Sequence, residues 1–80
     1  MNVQAVEAAL DLLRPGLRSD GLDLRLGALD GDIVQVVLEA RPGACLDCVV
    51  PEPMMIQILE TAIREREASL EHVELVKRGF

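Results

Sequence analysis

Aromatic side chains are almost absent from this 80-residue chain, in which Phe80 is accompanied by no tyrosine and no tryptophan. Proteins hold single-stranded nucleic acids by stacking bases on aromatic rings, so this mode of binding is excluded. Cationic side chains are also few, with 8 lysines and arginines against 14 acidic residues and a formal charge of -6. A surface of this sign repels phosphate backbones and anionic lipids. We therefore expect no nucleic-acid partner and no membrane partner.

Long apolar runs are missing too, although half of the residues are apolar. No stretch approaches the roughly 20 consecutive apolar residues that span a bilayer. The first residues, 1–13, include acidic side chains and lack the basic flank of a targeting sequence. A chain of this length suits one small domain with an almost wholly aliphatic core. We predict a single domain over residues 1–80, located in the cytoplasm.

Cysteine occurs only twice, as Cys45 and Cys48 in a Cys-x-x-Cys pair. In a reducing compartment such a pair is more commonly catalytic or metal-binding than a structural disulfide, and closing so short a loop would stabilise the fold little. The pair permits a redox couple, half of a four-thiolate zinc site, or part of an iron-sulfur ligand set. Any chemistry of this chain is expected to lie there.

Two stretches have apolar residues at helical spacing. The first runs from about Asn2, a possible N-cap, to Arg14, and the pair Pro15-Gly16 predicts its end. The second begins near Pro51 or Pro53 and continues to about Ala68, with Glu60 and Arg64 as a favourable ion pair. Its apolar stripe consists of Met55, Ile58, Leu59, Ala62 and Ile63.

Three stretches alternate as strands do. Leu22, Leu24 and Leu26 alternate with charged residues, and after the turn Asp30-Gly31 a second run extends from Ile33 to Ala40. Both faces of the second run carry apolar residues, which predicts a central strand or a strand that faces a partner. A third strand is predicted from His72 to Lys77.

The predicted order is therefore α-β-β-α-β. One apolar face per element is buried most simply in an α+β fold, a two-layer sandwich with both helices on one face of a three-stranded mixed or antiparallel sheet. The helix between the last two strands is a crossover, so the last strand should run parallel to one strand of the hairpin. The other face of the sheet is left to water or to another subunit.

Over nearly its whole length the chain resembles the C-terminal domain of NifU, the Nfu-type iron-sulfur scaffold. Five stretches carry this resemblance: Val6-Glu7-Ala8-Ala9-Leu10, Leu13-Arg14-Pro15, Asp20-Gly21, Gly43-Ala44-Cys45-x-x-Cys48 and Leu59-Glu60. The family usually has Gly after Asp-Gly, Gly between the cysteines, then Pro-Ser-Ser and Thr-Leu. This chain has Leu22, Asp47, Val49-Val50-Pro51 and Met54-Met55 in those places.

The resemblance implies a scaffold or carrier rather than an enzyme. Domains of this family hold a four-iron cluster between two subunits, each of which contributes the two cysteines of its motif, and pass it to apo iron-sulfur proteins. Only Cys45 and Cys48 become ligands of the cluster in this chain by that comparison. Asp47, between them, adds a negative charge that raises the cost of ionising the two thiols.

The number of available ligands points the same way. Zinc and four-iron clusters normally take four protein ligands, whereas one chain offers two thiols and a single histidine, His72. Two chains related by a two-fold axis supply four cysteines from the same surface used twice. A metal-dependent homodimer is therefore expected, with zinc possible in place of the cluster. A solvated or edge-strand position is the simpler interpretation of His72.

Two alternatives remain open at this point. In thiol-disulfide exchange, Cys45 would attack and Cys48 would resolve, although the strand-helix-strand segment that precedes a thioredoxin-like Cys-x-x-Cys is missing. In a metal-free interaction module, the cysteines would bind no metal. Met54 and Met55 are interpreted as core or loop-anchoring residues, and the acidic residues between 65 and 74 as a solvated face.

Overall fold

The computed structural model describes residues 2–45 and 50–79. Within them, five elements follow in the predicted order. They are helix α1 (Val3–Ser19), strand β1 (Leu22–Asp30), strand β2 (Ile33–Ala40), helix α2 (Glu52–Arg64) and strand β3 (His72–Arg78). The predicted α+β fold class and the predicted bounds of the second strand are confirmed. Neither helix combines the length and the apolarity that crossing a bilayer requires.

Strand β2 lies at the centre of the sheet, whose order is β1-β2-β3. Strand β1 is antiparallel to it and β3 is parallel, so the sheet is mixed, as the crossover helix required. The buried face of β2 consists of Val34, Val36 and Leu38, each fully inaccessible. Both helices pack on this face, and their apolar stripes complete one aliphatic core.

Helix α1 does not end at Pro15-Gly16 as predicted, but continues to Ser19. Leu13 and Leu17, one turn apart on either side of the proline, both pack against the core. Burial of this apolar stripe therefore outweighs the hydrogen bond that a proline removes from a helix. The predicted start is confirmed, because the Asn2 side chain accepts a hydrogen bond from the Gln4 N–H at 2.8 Å.

Arg14 connects helix α1 to the edge of the sheet. Its guanidinium donates to the Leu24 carbonyl oxygen at 3.1 Å and pairs with Glu7 at 3.0 Å. A second ion pair joins it to Asp11 one turn earlier. Only 12% of the Arg14 side chain is exposed, so these partners compensate for most of the solvation that the guanidinium loses.

Helix α2 ends at Arg64, four residues before the predicted end near Ala68. Its predicted ion pair is present, with Glu60 Oε1 and Arg64 Nη1 3.7 Å apart. The Arg64 guanidinium also donates to the Leu70 carbonyl oxygen at 3.2 Å, and Leu70 itself is buried. Since Leu70 must reach the core before β3 begins, the chain leaves the helix early.

The face of the sheet opposite the helices is partly closed by its own side chains. Strand β1 runs beyond the predicted alternation and carries a bulge between Leu26 and Ala28. A Cβ at Gly27 would lie 2.6 Å from the Gln35 Oε1 atom, so a larger residue there would displace the end of the Gln35 side chain. Val37, on this face, is only 6% exposed. The apolar residues on both sides of β2 therefore match its central position.

Replacing Arg14 with methionine tests the connection between helix α1 and the sheet. We expect Arg14→Met to lower the free energy of unfolding by about 2 kcal/mol, because it removes charged hydrogen bonds from a nearly buried site. Urea denaturation provides the measurement. In the control Arg25→Met, the side chain is 61% exposed and paired with Glu39, and the change should stay within about 0.5 kcal/mol. Equal losses in the two variants would contradict this role of Arg14.

Candidate thiol site

The thiol loop, residues 41–50, joins the end of β2 to the start of α2. Cys45 lies on its exposed surface. Cys48 and Asp47 lie outside the residues that the structure describes, so the predicted pair of ligands remains a prediction. The geometry of the site is therefore given by Cys45 and by the described residues on either side of the loop.

The first half of the thiol loop is hydrogen-bonded to the turn between α1 and β1. The Arg41 N–H donates to the Gly21 carbonyl oxygen at 2.9 Å, and the Cys45 N–H donates to the Asp20 carbonyl oxygen at 3.0 Å. Within the loop, the Ala44 N–H donates to the Arg41 carbonyl oxygen at 2.9 Å. These three bonds position the backbone of Cys45 against the body of the fold.

Gly21 is required for this contact in two ways. Its φ angle is +80°, in the left-handed region that favours glycine. A Cβ built on it would also lie 3.0 Å from Ala44 Cα and 3.1 Å from Ala44 Cβ. The sequence pattern contains Asp20-Gly21 and Gly43-Ala44-Cys45 as separate stretches, and the structure shows that they touch.

Asp23 is the centre of a charged cluster beside the thiol loop. The sequence did not predict this cluster. The Asp23 carboxylate lies 3.3 Å from Arg18 Nε and 3.5 Å from Arg41 Nη2, and it accepts a hydrogen bond from the Leu24 N–H at 2.9 Å. Burial alone would raise the pKa of Asp23, but the Leu24 N–H and the two guanidinium groups outweigh it and hold the pKa below its ordinary value. The cluster joins helix α1, strand β1 and the loop.

The second half of the loop ends at Val50, which packs against the core. Helix α2 then begins with Pro51 as N-cap and Pro53 in its first turn, as predicted, and no side chain among the described residues caps it. The positive end of the helix therefore follows directly after the thiol loop. The Lys77 ammonium group lies 3.6 Å from Glu52 Oε2, so the end of β3 is joined to the same helix terminus.

His72 lies at the opposite end of the sheet from the thiol loop. It pairs with Ile33 at the start of β2, whereas the loop follows Ala40, seven residues later and about 23 Å away along the strand. It occupies the edge strand β3, and 45% of its side chain is exposed. The edge-strand interpretation of His72 is confirmed. Over residues 2–45 and 50–79, no three His, Cys, Asp or Glu side chains are grouped to hold a metal ion.

A groove of about 280 Å³ between helices α1 and α2 adjoins the thiol loop. Its lining consists of Leu13, Gly16, Leu17, Asp20, Val50, Met55 and Ile58. Met55 is buried as predicted, but Met54 is 52% exposed and Ile58 is 38% exposed. Met54 is therefore not a core residue, and Ile58 belongs only in part to the predicted apolar stripe, because both side chains reach the surface of α2.

Two helices packed on a three-stranded mixed sheet, with a thiol loop after the central strand, define a small α+β domain. A family model described as "NifU-like domain" matches residues 6–74. The chain therefore belongs to the NifU-like domain family, as its sequence pattern indicated. Membership in this family supports a role in iron-sulfur cluster assembly.

The chain is also similar to NifU-like protein 2, chloroplastic, of Arabidopsis thaliana. The two are 40% identical over 52 residues, which make up 65% of this chain and 22% of that protein. The match thus spans about a fifth of the relative's length. The name of the relative refers to the chloroplast, so the cytoplasmic location of the present chain stays a prediction.

Replacing Gly21 with alanine tests the contact between the turn and the loop. We expect Gly21→Ala to destabilise the fold by about 2 kcal/mol and to speed hydrogen exchange at the Cys45 amide by about tenfold, since its acceptor is displaced. In the control Gly31→Ala, the same left-handed strain arises at φ +58°, but nothing lies within 4 Å of the new Cβ. Faster exchange at Cys45 in both variants would contradict the contact.

Acid titration tests the Asp23 cluster. Because the folded-state pKa of Asp23 lies below the unfolded value of about 3.9, its stabilising effect is complete above that pH and disappears as the pH falls through the folded pKa. The urea midpoints of wild type and Asp23→Asn should differ at neutral pH and converge as the pH falls below the folded-state pKa of Asp23. Replacing both Arg18 and Arg41 with glutamine should reduce the difference. A difference that does not vary with pH would refute the role of the two guanidinium groups.

Proposed function

We propose that this domain is an iron-sulfur cluster scaffold or carrier, in which Cys45 and Cys48 of two chains hold one cluster and release it to apo-proteins. The observation that carries the proposal is the placement of Cys45. Its side chain is exposed, while its backbone is hydrogen-bonded to the turn that ends α1. Such a site combines a defined ligand position with access for a partner.

A second chain follows from the ligand requirement. A four-iron cluster takes four thiolates, and each chain has two cysteines. His72 cannot complete the set within one chain because it lies at the other end of the sheet. Zinc, which takes the same four thiolates, would require the same dimer. The homodimer is therefore proposed as a consequence of metal binding.

Cluster release by ligand exchange suits an exposed thiolate. An acceptor thiolate forms a bond to iron as one of the scaffold thiolates leaves, so the number of bonds to iron is conserved. The acceptor must approach within bonding distance, and a buried ligand would prevent this. The positive end of α2 stabilises the departing thiolate. This role needs no chemical turnover, and we propose that the domain is not an enzyme.

The charge near the loop sets how readily the thiols ionise. Asp47 disfavours thiolate by its sequence position between the cysteines, whereas the positive end of α2 favours it. Arg41 lies in the loop itself and is 62% exposed, although its charge is shared with Asp23. The site therefore holds both signs of charge close to the thiols. We propose that this balance permits cluster binding.

Anaerobic reconstitution with iron and sulfide tests the function. We expect wild type to take up about two iron and two sulfide ions per chain, to gain a broad visible absorption, and to change from monomer to dimer. Cys45→Ser and Cys48→Ser should each abolish this uptake. The control Thr61→Cys places a third thiol at an exposed position near the end of α2, away from the thiol loop, and should leave the metal content of wild type unchanged.

Three results would lead elsewhere. A colourless dimer that chelators dissociate would identify zinc as the bound metal. A chain that takes up neither metal but cycles between dithiol and disulfide at a cytosolic redox potential would support thiol exchange instead. A chain that does neither, and in which serine at both cysteines alters no binding, would be an interaction module.

A further inference from the structure

Charged residues are distributed unevenly between the two ends of the molecule. The thiol end comprises the thiol loop, the turn between α1 and β1, the start of β1, the ends of α1, β2 and β3, and the start of α2. Its described residues carry four cations and four acids, namely Arg18, Arg41, Lys77, Arg78, Asp20, Asp23, Glu39 and Glu52. Asp47, outside the described residues, adds one acid to the loop. The thiol end is therefore close to neutral.

The opposite end carries almost the whole net negative charge of the chain. It comprises the β1–β2 turn with the end of β1, the end of α2, the connecting residues 65–71 and the start of β3. Its charged residues are seven acids and two cations, namely Asp30, Asp32, Glu60, Glu65, Glu67, Glu71, Glu74, Arg64 and Arg66. We name this the acidic end. Two copies that meet through their acidic ends would bring these surplus charges together.

The separation of the two ends determines how the uneven charge affects self-association. The fold is 36 Å long and only 19 Å and 18 Å in the other directions. Charges in physiological salt are screened over about 8 Å, so the acidic end has little effect at the thiol end. Two copies that meet through their thiol ends therefore keep their acidic ends far outside each other's range. Electrostatics thus favours one orientation of a self-association.

The groove between α1 and α2 lies at this same neutral end. Only Asp20 among its seven lining residues is charged, and the exposed side chains of Met54 and Ile58 extend the apolar surface along α2. The groove also reaches the thiol loop, because the Asp20 carbonyl oxygen accepts the hydrogen bond of the Cys45 N–H. Apolar surface that is covered by a partner contributes about 25 cal/mol per Å².

From these observations we propose that the groove and the adjoining surface of α2 dock a second copy of this chain, with the thiol ends facing each other. The proposal rests on the cluster-sharing function above, since that function requires a second chain. It adds the surface that holds the two chains together and the charge distribution that orients them. By two-fold symmetry, the same groove surface serves both copies.

Substitution of Ile58 with glutamate tests the docking surface. Ile58→Glu places a charge in the groove beside Asp20, and we expect the cluster-loaded dimer to dissociate at least about tenfold more readily. The control Val3→Glu makes the same kind of change at a 48% exposed apolar residue at the start of α1, far from the groove, and should dissociate like wild type. Sedimentation equilibrium of the loaded chains gives both constants, and iron analysis is made on each sample.

Met54→Glu provides a second variant in case Ile58→Glu does not fold, and it should also weaken the dimer. Dimers of all variants as stable as wild type, with normal iron content, would overturn the docking surface and leave the cluster function intact. Equal weakening by Val3→Glu would overturn it as well. Normal dimers that transfer clusters more slowly would assign the groove to an acceptor protein instead. A wild-type chain without iron uptake would overturn the function and the docking proposal together.

Discussion

The burial of one face of the central strand organises this domain. Val34, Val36 and Leu38 are fully inaccessible, and a sheet of three strands can cover them only with helices packed on that face. Helix α1, with 17 residues, is about 26 Å long and matches the length of the strands. Packing of Leu17 against the core, beyond Pro15, stabilises the last turns of the helix. The helix therefore ends beside the end of β2, where the thiol loop begins.

The position of the candidate site follows from this coverage. Because α1 ends beside the thiol loop, the turn Asp20-Gly21 can offer two carbonyl oxygens to the loop backbone. Asp23, at the start of β1, then joins Arg18 of the helix to Arg41 of the loop. The loop is thus attached to elements that the core itself makes rigid. An exposed cysteine can in this way have a defined position without being buried.

The same geometry separates the charges of the molecule. The strands lie side by side in one sheet, so each turn and loop that follows a strand lies at one of the two ends of the sheet. The thiol loop is at the nearly neutral end, and the acidic segment between α2 and β3 is at the other. This segment also has a structural role, because the Glu67 carboxylate accepts a hydrogen bond from the Asn2 N–H at 3.0 Å. Interpreting it only as a solvated face was therefore incomplete.

The sequence by itself determined the order of elements, the bounds of β2 and the inward-facing residues of the strands. These features depend on local periodicity. The sequence also identified the two cysteines and the family. It did not determine where α1 and α2 end, because burial in the core outweighed the local signals. Burial of Leu17 extends α1 beyond Pro15, and burial of Leu70 ends the second helix early. Only the tertiary structure brought Gly21 against Ala44 and Asp23 against Arg41, residues about 20 apart in the chain. Such contacts leave no periodic pattern, because they form only after the helices have packed on the sheet.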